Sequence, residues 1–185
     1  MISLASKSEK GLLLATAYHE AGHAVMGYRF SMQTLRVVVD IATPGSGRTH
    51  YAGRVQAWQA MFLKKYGIGD FDSWSRDAER HIICDLAGPL AEARYLGGFS
   101  GEVIAAGVND YEHAEELLTC LHGIAGTPLW ISKCQALIDH VGRILRVPRT
   151  WGALAELANA LAYSGDVSGD AAERLFDRWR VPRIR

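Results

Sequence analysis

Apolar residues recur at helical spacing over most of the chain, and turn-forming residues separate six predicted helices. The first begins near the capping pair Ser6 and Glu9 and is apolar on nearly every face, so we expect it to be buried at the centre of the fold. Pro89 should kink the second helix, and Asn109 is expected to cap the third. The six helices are predicted at residues 7–28, 76–96, 110–122, 128–147, 151–163 and from 170 onward.

One segment has the composition of strands instead. Leu35–Ile41 is rich in β-branched residues, Thr43–Gly47 has turn chemistry and Thr49–Val55 returns, which predicts a hairpin over residues 35–55. Residues 56–74 are predicted as a short helix followed by a loop. We therefore expect a mainly α single domain, residues 1–185, with a small hairpin beside the first helix. An extended peptide could add to the edge of Leu35–Ile41, or that strand could simply cover the core.

The composition argues against several classes of partner. The 185 residues carry 20 Lys and Arg and 20 Asp and Glu, so the formal charge of zero gives no electrostatic basis for binding nucleic acid or an anionic membrane. No segment approaches the roughly 18 apolar residues of a membrane span, and the apolar run at residues 12–15 is too short for a signal peptide. The three cysteines are expected to be reduced, which favours a cytoplasmic protein. The basic tail, residues 178–185, is expected to be a frayed, solvated end.

The segment that indicates chemistry lies in the first helix, where His19, Glu20 and His23 form a His-Glu-x-x-His sequence. Two histidines at i and i+4 project from one helix face and can bind the same metal ion. Glu20 borders that face, so it can reach a water on the metal without itself binding the metal. Burying these three polar side chains without a metal or partners would be costly. The pattern therefore predicts a zinc site in which Glu20 is the general base of a hydrolase.

A catalytic zinc site needs a third protein ligand and an open position for water. No Glu or His follows His23 at short range, so the third ligand must come from a distant element. Spacing alone does not choose among the candidates, which are Asp85, Glu92, Asp110, Glu112 and His113.

Four sequence blocks, in the same order, resemble the peptidase domain of the FtsH family of membrane-anchored AAA proteases, and the likeness covers about residues 10–180. The first block matches the family's metal helix almost letter for letter. The last resembles the Gly-Ala-Ser-Asn-Asp block, whose aspartate is the family's third zinc ligand. The resemblance therefore implies an FtsH-peptidase-like helical fold and a zinc ion bound by His19, His23 and Asp110. The blocks are Ala17-Tyr18-His19-Glu20-Ala21-Gly22-His23-Ala24, Val37–Ile41 with Pro44-Gly45, Leu86-Ala87-Gly88-Pro89-Leu90-Ala91-Glu92 with Gly97-Gly98, and Ala106-Gly107-Val108-Asn109-Asp110.

The resemblance also implies an activity, that of a zinc-dependent endopeptidase acting on peptides or unfolded proteins with Glu20 as the catalytic base. Glu92 matches a family glutamate that we expect to pack the helix or support a ligand, so its replacement by Gln should not weaken zinc binding. The sequence departs from the family because it shows neither an ATPase module nor membrane segments. Residues 45–49 lack the lysine and the spacing of a phosphate-binding loop and are interpreted as the hairpin turn.

Three hypotheses about function follow from this resemblance. The protein is an ATP-independent zinc peptidase, a peptidase subunit driven by a separate ATPase partner, or an inactive, adaptor-like pseudo-peptidase module. The intact Glu20 favours the first two, because a binding module needs no general base. The family assembles as a hexamer, which leaves a homo-oligomer as a further expectation.

Overall fold

The computed structural model describes residues 4–53, 55–67, 69–98 and 108–184, and 70% of the chain is helical. The prediction of a mainly α fold is therefore confirmed, and each predicted helix has a counterpart. None of the helices in these ranges is long and apolar enough to cross a membrane. In chain order the elements are α1 (Leu4–Arg29), β1 (Thr34–Val39), β2 (Gly47–Tyr51), α2 (Ala57–Tyr66), α3 (Phe71–Tyr95), α4 (Val108–His122), α5 (Pro128–Arg146), α6 (Pro148–Ser164), β3 (Asp166–Ser168) and α7 (Gly169–Arg178).

Five of the six predicted helices begin one to five residues earlier than predicted, and α3 differs most. α3 begins at Phe71 because the side chain of Asp70 accepts hydrogen bonds from the first backbone N–H groups, and it continues through Pro89 to Tyr95. Asn109 lies inside α4, so the prediction that it caps this helix is wrong. The residues ahead of α4, including Ala106 and Gly107 of the fourth sequence block, lie outside the described residues.

Helix α1 occupies the centre of the fold, as its apolar composition predicts. It packs against α3 and α6 on its sides and against β1 and β2 of the sheet. Small residues allow the closest of these approaches, because a Cβ atom at Gly22 would lie 2.5 Å from the carbonyl oxygen of Ala87 in α3. Ala17, Ala21 and Ala24 of α1 are fully buried. The first helix is thus held in a fixed position against α3.

The predicted hairpin is present, but it belongs to a three-stranded antiparallel sheet of order β2-β1-β3. β1 pairs with β2 from Val39↔Gly47 to Thr34↔Tyr51, with an irregularity near the start of β1. Its other side pairs with β3, where Val37 lies opposite Val167. The strands end at Val39 and Tyr51, before the predicted limits of 41 and 55.

The third strand removes the proposed edge of β1. Because β1 is the central strand, its backbone is hydrogen-bonded on both sides, and the prediction that a peptide could add to Leu35–Ile41 is wrong. The cause lies far along the chain. Gly165 ends α6 in the left-handed conformation at φ 75°, which turns the chain back so that Asp166–Ser168 lies beside β1.

The C-terminal tail packs on the end of α1, so the expectation of a frayed end is wrong for residues 178–184. Val181 is only 4% exposed. The guanidinium of Arg183 lies 4.2 Å from the ring centre of Tyr28. The backbone N–H of Ile184 donates to the carbonyl oxygen of Arg29 at 2.6 Å. Apolar and cation–π contacts therefore outweigh the solvation of the arginines.

Candidate metal centre

The histidines of α1 and the aspartate of α4 meet at one point. Nε2 of His19 lies 2.9 Å from Oδ2 of Asp110, and Nε2 of His23 lies 3.2 Å from the same oxygen. The three potential ligand atoms all lie within 4.8 Å of one another. The structure thus brings together His19, His23 and the residue that the resemblance implies as third ligand, although Asp110 lies 87 positions after His23.

The other candidates for a third ligand lie elsewhere. Oε2 of Glu92 contacts the opposite ring nitrogen of His19. Asp85 and His113 bind each other, with Oδ2 2.6 Å from Nδ1. Glu112 is exposed. Among the five candidates, the aspartate at the start of α4 is therefore the one that reaches both Nε2 atoms.

Each imidazole ring is oriented by a contact at its Nδ1 atom, on the side of the ring away from Asp110. Nδ1 of His19 lies 2.9 Å from Oε2 of Glu92, and Nδ1 of His23 lies 2.7 Å from the backbone carbonyl oxygen of Cys84. With a metal ion at the two Nε2 atoms, the ring proton of each histidine would lie on Nδ1, because that nitrogen faces an oxygen acceptor. Both Nε2 lone pairs would then be available to the same ion, and an acceptor on the other ring nitrogen is the usual support of a metal-binding histidine.

The pair of Asp85 and His113 ties α4 to α3. His113 lies three residues after Asp110, and its Nε2 is 3.0 Å from the carbonyl oxygen of Val55 while its Nδ1 contacts Asp85. All of these groups are buried or half-buried. The pair therefore helps to fix the position of the α4 turn that carries Asp110.

Gly88 of α3 forms one wall of the site. A Cβ atom at this position would lie 2.6 Å from Cε1 of His23 and 2.8 Å from Cδ2 of His19, and closer still to Nε2 of His23. Real Cβ contacts of this length are essentially never found. The backbone of α3 can therefore pass directly against the ring edges that carry the two Nε2 atoms only because position 88 has no side chain. The sequence analysis assigned no role to Gly88 beyond its place in the third sequence block.

Glu20 stands beside the histidines without contacting their Nε2 atoms in any described hydrogen bond. Its side chain is buried, and Oε2 accepts a hydrogen bond from Oγ1 of Thr49 in β2 at 2.8 Å. Gly47 packs against the other oxygen, since a Cβ atom there would lie 2.8 Å from Oε1. Thr49 was not predicted as part of the site, because one threonine in a predicted strand carries no signal of this contact.

These groups line an open cleft of about 710 Å³. The cleft is lined by residues of α1, α3, α4 and β2 and of the turn before β2. The lining residues are Leu12, Thr16, His19, Glu20, His23, Gly45, Ser46, Gly47, Arg48, Thr49, His50, Tyr51, His81, Asp85, Glu92, Asn109 and Asp110.

The electrostatics of the centre favour a positive charge at the two imidazoles. Burial lowers the pKa of His19, but the hydrogen bonds to Asp110 and Glu92, with the charge of Glu20, outweigh it and raise the pKa to about 10. Burial also lowers the pKa of His23, but the neighbouring Asp110 outweighs burial, so the pKa is raised overall. Burial acts to raise the pKa of Asp110, yet the imidazoles lower it overall. A cation held at these nitrogens would experience the same favourable field and would compete with protons for them.

The donor set fits zinc. Two imidazole nitrogens and one carboxylate oxygen are three protein ligands, and a tetrahedral ion bound by them keeps one position for water. Imidazole and carboxylate donors also suit other first-row divalent metals, so they define a class of ion rather than zinc alone.

No model of a known protein family matches the chain, and no curated protein matches it. The resemblance to the FtsH family is therefore supported by the four sequence blocks alone.

Proposed function

We propose that this protein is a zinc-dependent endopeptidase. One observation carries the proposal: Nε2 of His19 and of His23 converge on one oxygen of Asp110, while Glu20 lies in the same cleft and is held by β2. A site that only binds a metal has no use for an additional buried carboxylate at this position. The arrangement instead supports hydrolysis, in which a separate base must act beside the metal.

Each residue has a distinct task in the proposed reaction. His19, His23 and Asp110 would hold the zinc ion, and Glu92 and the carbonyl of Cys84 keep the imidazoles in the tautomer that binds it. The ion, when bound, supplies a Lewis acid for the peptide carbonyl and makes water acidic enough to react near neutral pH. Glu20 accepts the proton of the attacking water and returns it to the leaving amine.

The outer edge of β2 supports a binding mode for an extended substrate. In an antiparallel pair of strands, hydrogen-bonded residue pairs alternate with pairs that are not hydrogen-bonded. The N–H of Asp40 donates to the carbonyl oxygen of Ser46 at 2.8 Å, which identifies the hydrogen-bonded pairs of β1 and β2. Gly47, Thr49 and Tyr51 belong to the pairs that are not hydrogen-bonded, so their backbone N–H and C=O groups point away from β1. β2 has one neighbour, β1, among the described strands, so these groups are open to a peptide that adds along the cleft.

This proposed edge replaces the one that the sequence analysis placed on β1. It lies directly beside Glu20, because Gly47 and Thr49 contact that side chain. A peptide bound there would pass the base and the metal ligands in extended form. The need for an extended backbone supports unfolded proteins and flexible peptides as the substrate class.

We further propose that the protein is an FtsH-type peptidase of the cytoplasm. The sequence blocks support the first part, and the unpaired cysteines Cys84, Cys120 and Cys134 support a reducing compartment. Family hexamers suggest a homo-oligomer and a separately encoded ATPase as partners. ATP added to the isolated chain should not alter its rate, whereas ATP with such a partner should raise it.

The proposal is tested by cleavage of unfolded casein and of a quenched fluorescent peptide by the zinc-loaded protein. We expect cleavage that a chelator removes and added zinc restores. Glu20→Gln is the matched control, because it retains the metal ligands while removing the base. A protein that binds one zinc ion yet cleaves neither substrate, alone or with an ATPase, would instead be the adaptor-like module.

A further inference from the structure

Thr49 joins the edge strand to the base of the proposed reaction. Its Oγ1 lies 2.8 Å from Oε2 of Glu20 and 3.0 Å from the backbone carbonyl oxygen of the same residue. A threonine hydroxyl has one proton, and the carboxylate oxygen is the nearer of the two acceptors. We therefore assign the hydrogen bond to the carboxylate.

The Glu20 side chain is confined on its other side as well. A Cβ atom at Gly47 would lie 2.7 Å from Cγ and 2.8 Å from Oε1 of Glu20, so the strand backbone itself closes off that direction. Tyr51, two residues beyond Thr49, anchors the strand by donating from its hydroxyl to the carbonyl oxygen of His23 at 2.6 Å. Every second residue of β2 thus contacts α1, on the turn that carries the base.

The same three residues have backbone groups that point to the open edge, as the alternation of the β1–β2 ladder requires. Thr49 therefore has two separate faces. Its side chain contacts Glu20, whereas its N–H and C=O are available to a peptide in the cleft.

We propose that Thr49 is a positioning residue: its hydroxyl fixes the carboxylate of Glu20, while its backbone groups bind the extended substrate on the open edge of β2. The inference rests on the proposed peptidase function and adds a residue to its machinery. Thr49 would then contact both the bound peptide and the base, so one residue sets the position of the peptide relative to Glu20.

This division between side chain and backbone predicts which kinetic constant changes. Thr49→Val removes the hydroxyl, keeps the shape and leaves the strand backbone intact. The carboxylate of Glu20 is then free to turn, and misplacement of a reacting group by about 1 Å can cost about 100-fold in rate. We expect kcat to fall about 10- to 100-fold, while KM stays within about threefold because peptide binding is unaltered.

Thr49→Ser provides the matched comparison. Serine retains the hydroxyl but loses the methyl group, so it should recover most of the turnover that Thr49→Val loses. A purely structural role for Thr49 has the opposite signature, since valine is well suited to a strand and serine is not. Zinc content and thermal unfolding of both variants should match the wild type, which excludes loss of the metal or of the fold as the cause.

A second readout does not depend on activity. Crystal structures of the zinc-loaded variants should show the Glu20 carboxylate displaced by about 1 Å or more in Thr49→Val and in its wild-type place in Thr49→Ser. A Glu20 carboxylate that keeps its place in Thr49→Val overturns the proposal whether or not the protein cleaves peptides, as does an unchanged kcat. If Glu20 is displaced in Thr49→Val but the wild-type protein shows no hydrolysis, the positioning role stands and the peptidase function is rejected.

Discussion

Gly88→Ala tests how the metal centre is packed. Gly88 supplies no metal ligand, so any effect of this substitution on zinc binding must come from its contact with the imidazoles. The added Cβ would lie 2.6 Å from Cε1 of His23, whereas ordinary contacts begin near 3.4 Å. The ring must therefore retreat by at least about 0.8 Å, the difference between these two values, because Nε2 of the same ring lies closer still. Metal–ligand distances tolerate only about 0.2 Å. The variant should thus lose the geometry that both imidazoles need.

The magnitude follows from that comparison. Loss of a contact that merely supports a metal ligand costs about 10- to 100-fold in affinity. Displacing the ligand itself should cost at least the larger of these two factors, so we expect zinc affinity to fall by about 100-fold or more. Overpacking should destabilise the fold by about 1–3 kcal/mol, partly offset by the gain of about 0.5–1 kcal/mol for alanine over glycine in a helix.

Gly142→Ala is the matched control, since position 142 is also a helical glycine, within α5. A Cβ atom there meets nothing within 4 Å among the described residues. This variant should gain about 0.5–1 kcal/mol of stability and bind zinc normally. The assay is competition for zinc with a chromophoric chelator, together with unfolding measured with and without zinc. Wild-type zinc affinity in Gly88→Ala would refute the proposed packing of α3 against the imidazoles.

Three substitutions separate the roles of the acidic groups. Glu20→Gln should retain one zinc per chain but lose about 10² to 10⁴ in turnover, and normal hydrolysis would exclude it as the base. Asp110→Asn is nearly isosteric and should weaken zinc binding strongly without unfolding the chain, which chelator competition and circular dichroism would check. Glu92→Gln should weaken zinc binding about 10-fold, because its carboxylate contacts Nδ1 of His19; this replaces the sequence-based expectation of no effect. Equal zinc affinities for Asp110→Asn and the wild type would remove Asp110 from the ligand set.

The local part of the site could be predicted from the sequence. His19 and His23 share one face of a helix and Glu20 borders it, as the helical period of the residues themselves predicts. Asp110 could not be assigned in this way, because 87 positions separate it from His23 and only the resemblance pointed to it. Its approach depends on the packing of α4 against α3, which no local pattern encodes.

The supporting contacts were the least accessible to sequence reasoning. Gly88 and Thr49 act through close approach and a single hydrogen bond, and neither leaves a periodic signal. The same is true of β3, whose three residues are too few to show alternation. It was placed beside β1 by the turn at Gly165, so the hairpin was predicted but its free edge was assigned to the wrong strand.

The most direct test of the central claim is a crystal structure of the zinc-loaded protein with anomalous data collected at the zinc edge. We expect one strong anomalous peak, about 2.0–2.2 Å from Nε2 of His19, Nε2 of His23 and a carboxylate oxygen of Asp110, with the fourth position open to water. A peak elsewhere, or full loading in solution with no peak between these three side chains, would contradict the assignment of the metal centre.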